Sequence, residues 1–385
     1  MALPIYLDYH ATTPLDPRVF AEMGPYFTPF FGNAASKTHA FGWQAEAAVE
    51  RARAQVAALL HADPREVIFT SGTTESNNLA LKGAIEAVRP SGERRHMITS
   101  VIEHDSVLET VRYLEKNGCE ATYLPVNPYG QVELAALEKS ITEHTLLISI
   151  MAANNEIGTI QSLAEIGRIA KSRKVLFHTD AAQAVGKMAL DVEAMGIDLL
   201  SFSAHKLCGP KGIGGLYMRQ KDPRVRLSPQ MLGGGHERGM RAGTLNVPAI
   251  VGLGQACTLA QSEMIVEQAR IGSLRDKLHH ALKLAFPDLE LNGHPSKRLS
   301  GNLNVSFLGI RSDQLIGALS DVALSSGSAC ASGTATPSHV LQAIGADEAR
   351  VRGSVRFGLG RFTTESEIDL ALARIIPVVQ KLQSS

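Results

Sequence analysis

Short β-rich runs alternate with longer helix-like stretches through the first two-thirds of the chain. The runs are "EVIFT" (66–70), "HMITS" (96–100), "ATYLPV" (121–126), "LLISIM" (146–151), "VLFHT" (175–179), "LLSFS" (199–203) and "GGLYM" (214–218). Between several of them lie Ala- and Leu-rich stretches such as "ESNNLALKGAIEAV" and "SLAEIGRIAKSRK". Near-continuous apolar strands separated by helices specify an α/β fold, with a mostly parallel seven-stranded sheet covered by helices on both faces.

After about residue 260 the pattern changes. A long charged helix, "SEMIVEQARIGSLRDKLHHALKLA", is followed by "GNLNVSFLGI", a glycine-serine segment, "GSVRFGLGRF" and a last helix. This predicts a smaller α+β domain built from residues 1–14 and 259–385, beside a large domain of residues 15–258. No repeat or low-complexity linker separates them, so the two are expected to share an interface.

Open α/β sheets bind ligands beyond the carboxyl ends of their strands. Five runs end in polar residues: Thr74, His104, Asn155, Asp180 with Gln183, and His205 with Lys206. One alone is ordinary loop polarity; five at one sheet edge make a site. "TSGTTES" reads as a strand, a tight turn and a helix start. Free N–H groups and Ser or Thr hydroxyls there suit a phosphate, although the same residues also make a plain N-cap turn. It is neither a P-loop nor G-x-G-x-x-G. Asp180 is a carboxylate among apolar neighbours and needs a partner, either a buried cation or a protonated ring nitrogen. Lys206, between a core strand and a glycine turn, either snorkels to solvent or is a desolvated, Schiff-base-forming lysine. His104 reads as a cap, as a ring stacked on a flat cofactor, or as a proton shuttle. Arg356 is either a structural ion pair or a bidentate clamp for an α-carboxylate. "HERGMRAGTLN" (236–246) reads as an ordered loop or a polar subunit contact.

Cys330 sits in "SSGSACASG", where nothing is large enough to bury it. Cys119 and Cys257 read as small buried hydrophobes. The four cysteines, with Cys208, are scattered and form no C-x-x-C pair, so a metal site made by this chain alone is not expected. They suit a reducing compartment. With 38 basic and 38 acidic residues, nothing in the charge favours nucleic acid or an anionic membrane. No uninterrupted apolar run approaches a membrane span, and the N-terminus has neither a signal nor a transit pattern. A cytoplasmic protein is expected.

Over nearly its whole length the chain resembles the cysteine desulfurases of the NifS/IscS type, among the fold type I pyridoxal phosphate enzymes of the class V aminotransferase family. The likeness runs through "YLDYHATTPLDPRV", "FGNAAS", "TSGTTESNN", "NNEIGT", "DAAQAVGK", "SFSAHKLCGPKGIG", "GGGHERGMRAGT", "SSGSAC" and "VRFGLGRFTTE". Cys208 stands where many relatives carry an aromatic, and Asn246 where the motif often continues with proline.

The resemblance implies pyridoxal 5'-phosphate held covalently by Lys206. Asp180 would pair with the ring nitrogen, Gln183 with the ring oxygen, and His104 would stack on the ring. Thr73, Thr74, Ser203 and His205 would hold the phosphate, joined by Thr244 from a neighbouring subunit in a homodimer. Asn155 would contact the cofactor and, with Arg356, bind L-cysteine. Cys330 would attack its sulfur, and Lys206, His104 and Asp180 would complete the catalytic set. The implied products are L-alanine and an enzyme persulfide, passed on to a sulfur-acceptor protein such as an iron–sulfur scaffold. Cys330 is also a possible transient cluster ligand shared with that scaffold. A cysteine that works at two places needs a mobile carrier, which glycine, serine and alanine supply. The rival readings are an aminotransferase of the same fold, which has no use for Cys330, and a non-catalytic cluster-binding scaffold.

Overall fold

The computed structural model describes residues 3–88, 95–221, 224–326 and 337–384. After a two-residue strand β1 (Ile5–Tyr6), the chain builds a seven-stranded sheet. Its strands are β2 (Val67–Thr70), β3 (His96–Ser100), β4 (Glu120–Leu124), β5 (Thr145–Ser149), β6 (Leu176–Asp180), β7 (Leu199–Ser203) and β8 (Gly214–Met218). Their spatial order is β2-β8-β7-β6-β5-β3-β4.

All seven expected strands form. β4, β3, β5, β6 and β7 pair in parallel, while β8 runs antiparallel to both β2 and β7. The direction of β8 follows from its short connection to β7, which leaves no room for a crossover helix. Because β2 and β7 both oppose β8, β2 points the same way as the parallel strands. The carboxyl ends of β2, β3, β5, β6 and β7 therefore share one edge. β4, at the other end of the order, is the most exposed strand, as an edge strand should be.

Helices 40–60, 73–88, 105–116 and 163–172 accompany the sheet. In the helix Asp105–Lys116 the buried residues Val107, Leu108, Val111 and Leu114 recur at helical spacing and form one inward stripe. The buried apolar residues of the sheet and these helices form two cores.

A further core gathers Leu7 with residues of 271–379, among them Leu278, Val305, Phe307, Phe357 and Ile375. Its three-stranded sheet has the order β12-β10-β9, with β9 (Glu290–Leu291), β10 (Asn302–Ser306) and β12 (Ser354–Gly358). β1 pairs in parallel with β11 (Val322–Ala323). The helix Val247–Ala285 belongs to both cores: Leu253 and Cys257 lie in the first, and Leu274 and Leu278 in the second. This helix is long and, over one 18-residue window, apolar enough to cross a membrane, against the expectation that no apolar run approaches that length. Within the fold 56% of that window is buried.

The loop after β5 is fastened to the smaller sheet by polar contacts. Asn302 Nδ2 and Asn304 Nδ2 each donate to Glu156 O at 3.1 Å, and Arg356 donates to Asn155 O at 2.9 Å. Gly158 allows this approach. Its φ is +73°, and a Cβ there would come within 2.5 Å of the Asn302 side chain.

Candidate active site

A cleft of about 480 Å³ opens at the edge where the five strands end. Among its lining residues are Thr73, Thr74, His104, Asn155, Asp180, Gln183, Ser203, His205 and Lys206. Ten positions were assigned from sequence to the cofactor, and nine of them converge here.

β2 leads through Ser71 and Gly72 into the helix Thr73–Val88. The first hydrogen bond of that helix runs from Ser76 N–H to Gly72 O at 3.1 Å. The N–H groups of Thr73, Thr74 and Glu75 thus have no partner within the helix. Thr73 Oγ1 is buried with no hydrogen-bond partner. A positively polarised helix start beside an orphaned hydroxyl is the chemistry an anion satisfies. Ser203 Oγ is only weakly engaged, at 3.4 Å from Ile213 O. His205 contacts Thr12 Oγ1 at 3.1 Å, and its basicity falls to a pKa of about 4 through burial and the nearby Lys206, Lys211 and Lys187. A neutral imidazole lets His205 serve a phosphate as a hydrogen-bond partner rather than a cation.

Asp180 is the last residue of β6 and is 5% exposed. Its Oδ1 accepts from Ala182 N–H at 2.9 Å and its Oδ2 from Asn77 Nδ2 at 2.8 Å. Both contacts are neutral donors, so no structural cation claims this buried carboxylate among the described residues. Asn77 also donates to Ser106 Oγ at 2.9 Å, and its own Oδ1 is unpartnered. The sequence reading missed Asn77. It lies one helical turn after Thr73, and that spacing was the signal available.

Lys206 ends a turn of 3-10 helix, Ala204–Lys206, directly after β7. It does not snorkel. Its Nζ donates to His10 O at 2.5 Å and Ala11 O at 2.8 Å. The N-terminal segment thus lies against the lysine, held also by Thr13 N–H and Oγ1 on His205 O. His10 and Thr12 line the cleft, and neither was foreseen.

His104 caps the helix Asp105–Lys116. Its Nδ1 accepts from Ser106 N–H at 3.1 Å and lies 2.9 Å from Ser106 Oγ. Nδ1 is therefore an acceptor, and a neutral His104 carries its proton on Nε2. The cap reading and the cleft reading both hold. Directly before it, Glu103 is fully buried. Its carboxyl accepts from Ser100 Oγ and Met151 N–H, and desolvation raises its pKa to about 8.

Arg356 is 1% exposed and, among the described residues, does not line the cleft. It pairs with Asp8 at 2.8 Å and reaches the site through the Asn155 carbonyl. Its Nε is buried without a partner, so part of the guanidinium remains open to an acceptor. Thr244 is exposed and also outside the cleft. Its loop is braced by a buried bidentate pair, Arg53 to Glu237 at 2.8 Å on both arms, and Phe69 N–H donates to the same carboxylate. Glu237 and Arg238 occupy left-handed backbone, φ 48° and 56°, which costs about 1–3 kcal/mol per residue and persists only under such bracing.

Cys330 lies outside the described residues. Cys257 is fully buried, its pKa pushed up to about 12, while Cys119 is only half-buried. Cys208 is buried in left-handed backbone. Among the described residues no three His, Cys, Asp or Glu side chains cluster to hold a metal ion.

Fold and cleft together place an open helix start, a buried carboxylate and a lysine at one sheet edge, and the chain belongs to the class-V aminotransferase family, whose profile matches residues 5–371. Within that family its relatives are cysteine desulfurases. The human cysteine desulfurase is 52% identical over 380 residues, covering 99% of this chain and 82% of that protein. A solved NifS-like protein superposes with a TM-score of 0.91 at 38% identity, covering 98% of this chain and all of its own. A structure described as SspA in complex with cysteine gives a TM-score of 0.82, also at 38% identity, covering 93% and 99%.

Proposed function

We propose that this protein is a pyridoxal 5'-phosphate-dependent cysteine desulfurase that converts L-cysteine to L-alanine and passes the sulfur through Cys330 to an acceptor protein. The observation that carries this reading is the convergence, in one cleft, of an open helix start with an orphaned Thr73 hydroxyl, the buried Asp180 with no cation on it among the described residues, and Lys206 held inward by two carbonyls. The residues fit the cofactor. The helix start with Ser203 and His205 would receive the phosphate, the Asp180 carboxylate would accept a hydrogen bond from the protonated ring nitrogen and keep it protonated, Gln183 would meet the ring oxygen, and Lys206 would form the covalent link. When bound, the cofactor supplies an electron sink for the bond broken at the substrate α-carbon.

The chain's own groups do the rest. Lys206 leaves the His10 and Ala11 carbonyls, takes the α-proton and returns a proton to the product. His104, with its proton on Nε2, donates to or accepts from groups over the cleft. Asn155 and the unpartnered Nε of Arg356 hold the substrate carboxylate, while Asp8 stays on Nη2. The Cys330 thiolate attacks the substrate sulfur. A sulfur–sulfur bond forms, the carbon–sulfur bond breaks, and its electron pair stays with the carbon skeleton, which leaves as alanine after protonation. The persulfide then meets an acceptor, with an iron–sulfur scaffold as the leading class.

We read the protein as a homodimer. Support comes from Thr244, exposed outside its own cleft, and from the exposed Phe27, Phe31, Phe41 and Trp43. The separate apolar cluster of Leu7 with residues of 271–379 supports the proposed domains 15–258 and 1–14 with 259–385. A cytoplasmic location is consistent with Cys208 and Cys257 standing as thiols.

The deciding assay incubates the cofactor-loaded protein with L-cysteine and a reducing thiol. Equal amounts of alanine and sulfide support the reading. 3-Mercaptopyruvate formed in step with amination of an added keto acid would make the protein an aminotransferase instead.

A further inference from the structure

A second, smaller cavity of about 60 Å³ lies behind the cleft. Lys187, Cys208, Glu267 and Arg361 are among its lining, and His10 and Lys206 line both spaces. Gln183 faces the cleft, and Lys187 reaches it from behind: Lys187 Nζ donates to Gln183 Oε1 at 3.0 Å. The Gln183 amide also meets His10 twice. Its Nε2 donates to His10 O at 2.9 Å, and its Oε1 lies 3.0 Å from His10 Nδ1.

An amide side chain has two orientations of nearly the same shape, and its neighbours select between them. Here the neighbours disagree. The His10 carbonyl accepts only and calls for the amide NH2. The Gly301 carbonyl, 3.2 Å from His10 Nε2, draws the ring proton to Nε2 and leaves Nδ1 as an acceptor. That would call for NH2 where Oε1 now stands. An ammonium donates only, so a charged Lys187 demands the oxygen and breaks the tie. Without it the contest is one against one.

We propose that Lys187 is a positioning residue of the cleft: by donating to Gln183 Oε1 from the rear cavity, it fixes the amide so that Gln183 offers its NH2, not its oxygen, to the ring oxygen of a bound cofactor. This rests on the cofactor reading above. Lys187 also adds a second positive charge behind Lys206. Burial, the Lys206 charge and Arg356 lower its pKa to about 7, while Cys208 raises it. Glu267 and Arg361 face the same cavity, and burial keeps His10 neutral. The charge is thus tunable at neutral pH.

The test uses the cofactor-loaded protein and the pH midpoint of its visible absorption band. Lys187→Met removes a donor and a positive charge. Both losses favour the protonated chromophore, so the midpoint should rise by about one pH unit, and cofactor affinity should fall several-fold. Lys187→Arg, which keeps donor and charge, should restore both. In a Gln183→Met background, Lys187→Met should leave affinity unchanged and move the midpoint by only the residual charge effect. An unchanged midpoint in Lys187→Met would overturn the proposal. So would a full affinity loss that persists in the Gln183→Met background. Failure of the parent protein to bind pyridoxal phosphate at all would instead overturn the cofactor reading.

Discussion

The backbone N–H of Arg356 donates to the carbonyl of Ser325 at 2.7 Å, closing an antiparallel bridge between β12 and the segment that leads towards Cys330. The same residue sends its side chain to Asn155 and Asp8. One arginine therefore ties the base of the cysteine segment to the loop after β5, and any acceptor that draws on Arg356 acts at the junction of both.

Arg356→Lys keeps a charge for Asp8 and loses the second donor to Asn155. A charge-assisted hydrogen bond is worth about 1.5–3 kcal/mol. The KM for L-cysteine should rise about 10- to 100-fold while cofactor affinity holds. Steady-state kinetics with a cofactor titration would check this, and an unchanged KM would remove Arg356 from substrate binding.

Cys330→Ala separates two halves of the proposed reaction. Proton removal at the substrate α-carbon needs Lys206 and Asp180 but no thiol. Exchange of the α-proton with solvent deuterium should therefore persist, while alanine release nearly vanishes. Wild-type alanine production in this variant would exclude Cys330 as the nucleophile.

Lys206→Ala should fold, because Lys206 is only part-buried and lines the cleft and the cavity behind it rather than a packed core. Borohydride should then fix no cofactor to the protein, and activity should drop by about 10²–10⁴-fold or more. Retention of a borohydride-reducible chromophore would assign the covalent link to another lysine.

Glu103 sets a pH dependence of stability. Its folded pKa, about 8, lies above its reference value of 4.5. The folded state therefore holds a proton that the unfolded state releases, so its contribution is full below about pH 4.5 and declines until pH passes about 8. The slope approaches about 1.4 kcal/mol per pH unit in that window. Glu103→Gln, which keeps the shape and cannot ionise, should flatten it. Urea unfolding of both proteins between pH 5 and 8 would show the gap, and parallel curves would mean Glu103 is not buried neutral.

Glu237→Gln takes the buried bidentate counter-ion from Arg53 and leaves it only the exposed Glu50, in a loop with two left-handed residues. Breaking such a pair costs about 3–5 kcal/mol. Denaturant unfolding should report that loss, and a change below about 1 kcal/mol would show that the loop needs no brace.

What the sequence makes legible here is what a local period carries. Apolar runs bounded by polar turns mark β2 through β8, and parallel pairing brings Thr74, His104, Asn155, Asp180 and Lys206 to one edge. β8 is legible as a strand but not in direction, since direction depends on pairing rather than on its own residues. Asp8, His10 and Thr12 lie in a stretch without period, and their place against Lys206 and Arg356 is set by contacts with distant residues. Asn77 and Lys187 are ordinary in sequence and gain their roles only from what they touch. Arg356 was read as either an ion pair or a carboxylate clamp; the structure contains the ion pair and leaves Nε open for the other.

The opening residues of the chain are keyed into its closing ones. Leu7 O accepts from Gly358 N–H at 2.7 Å, Tyr9 N–H donates to Gly358 O at 3.1 Å, and β1 lies along β11. His10 and Ala11 then cover Lys206. On the ribosome these first residues emerge long before their partners exist. The large sheet can assemble while they wait, and the cover over Lys206 gains its anchor on Gly358 only after translation has passed that residue. Contacts of such sequence separation are slow to form. The nascent enzyme is thus a shaped scaffold with an unfinished centre, and catalytic competence arrives as a late event that a cofactor added during refolding would register after the bulk of secondary structure.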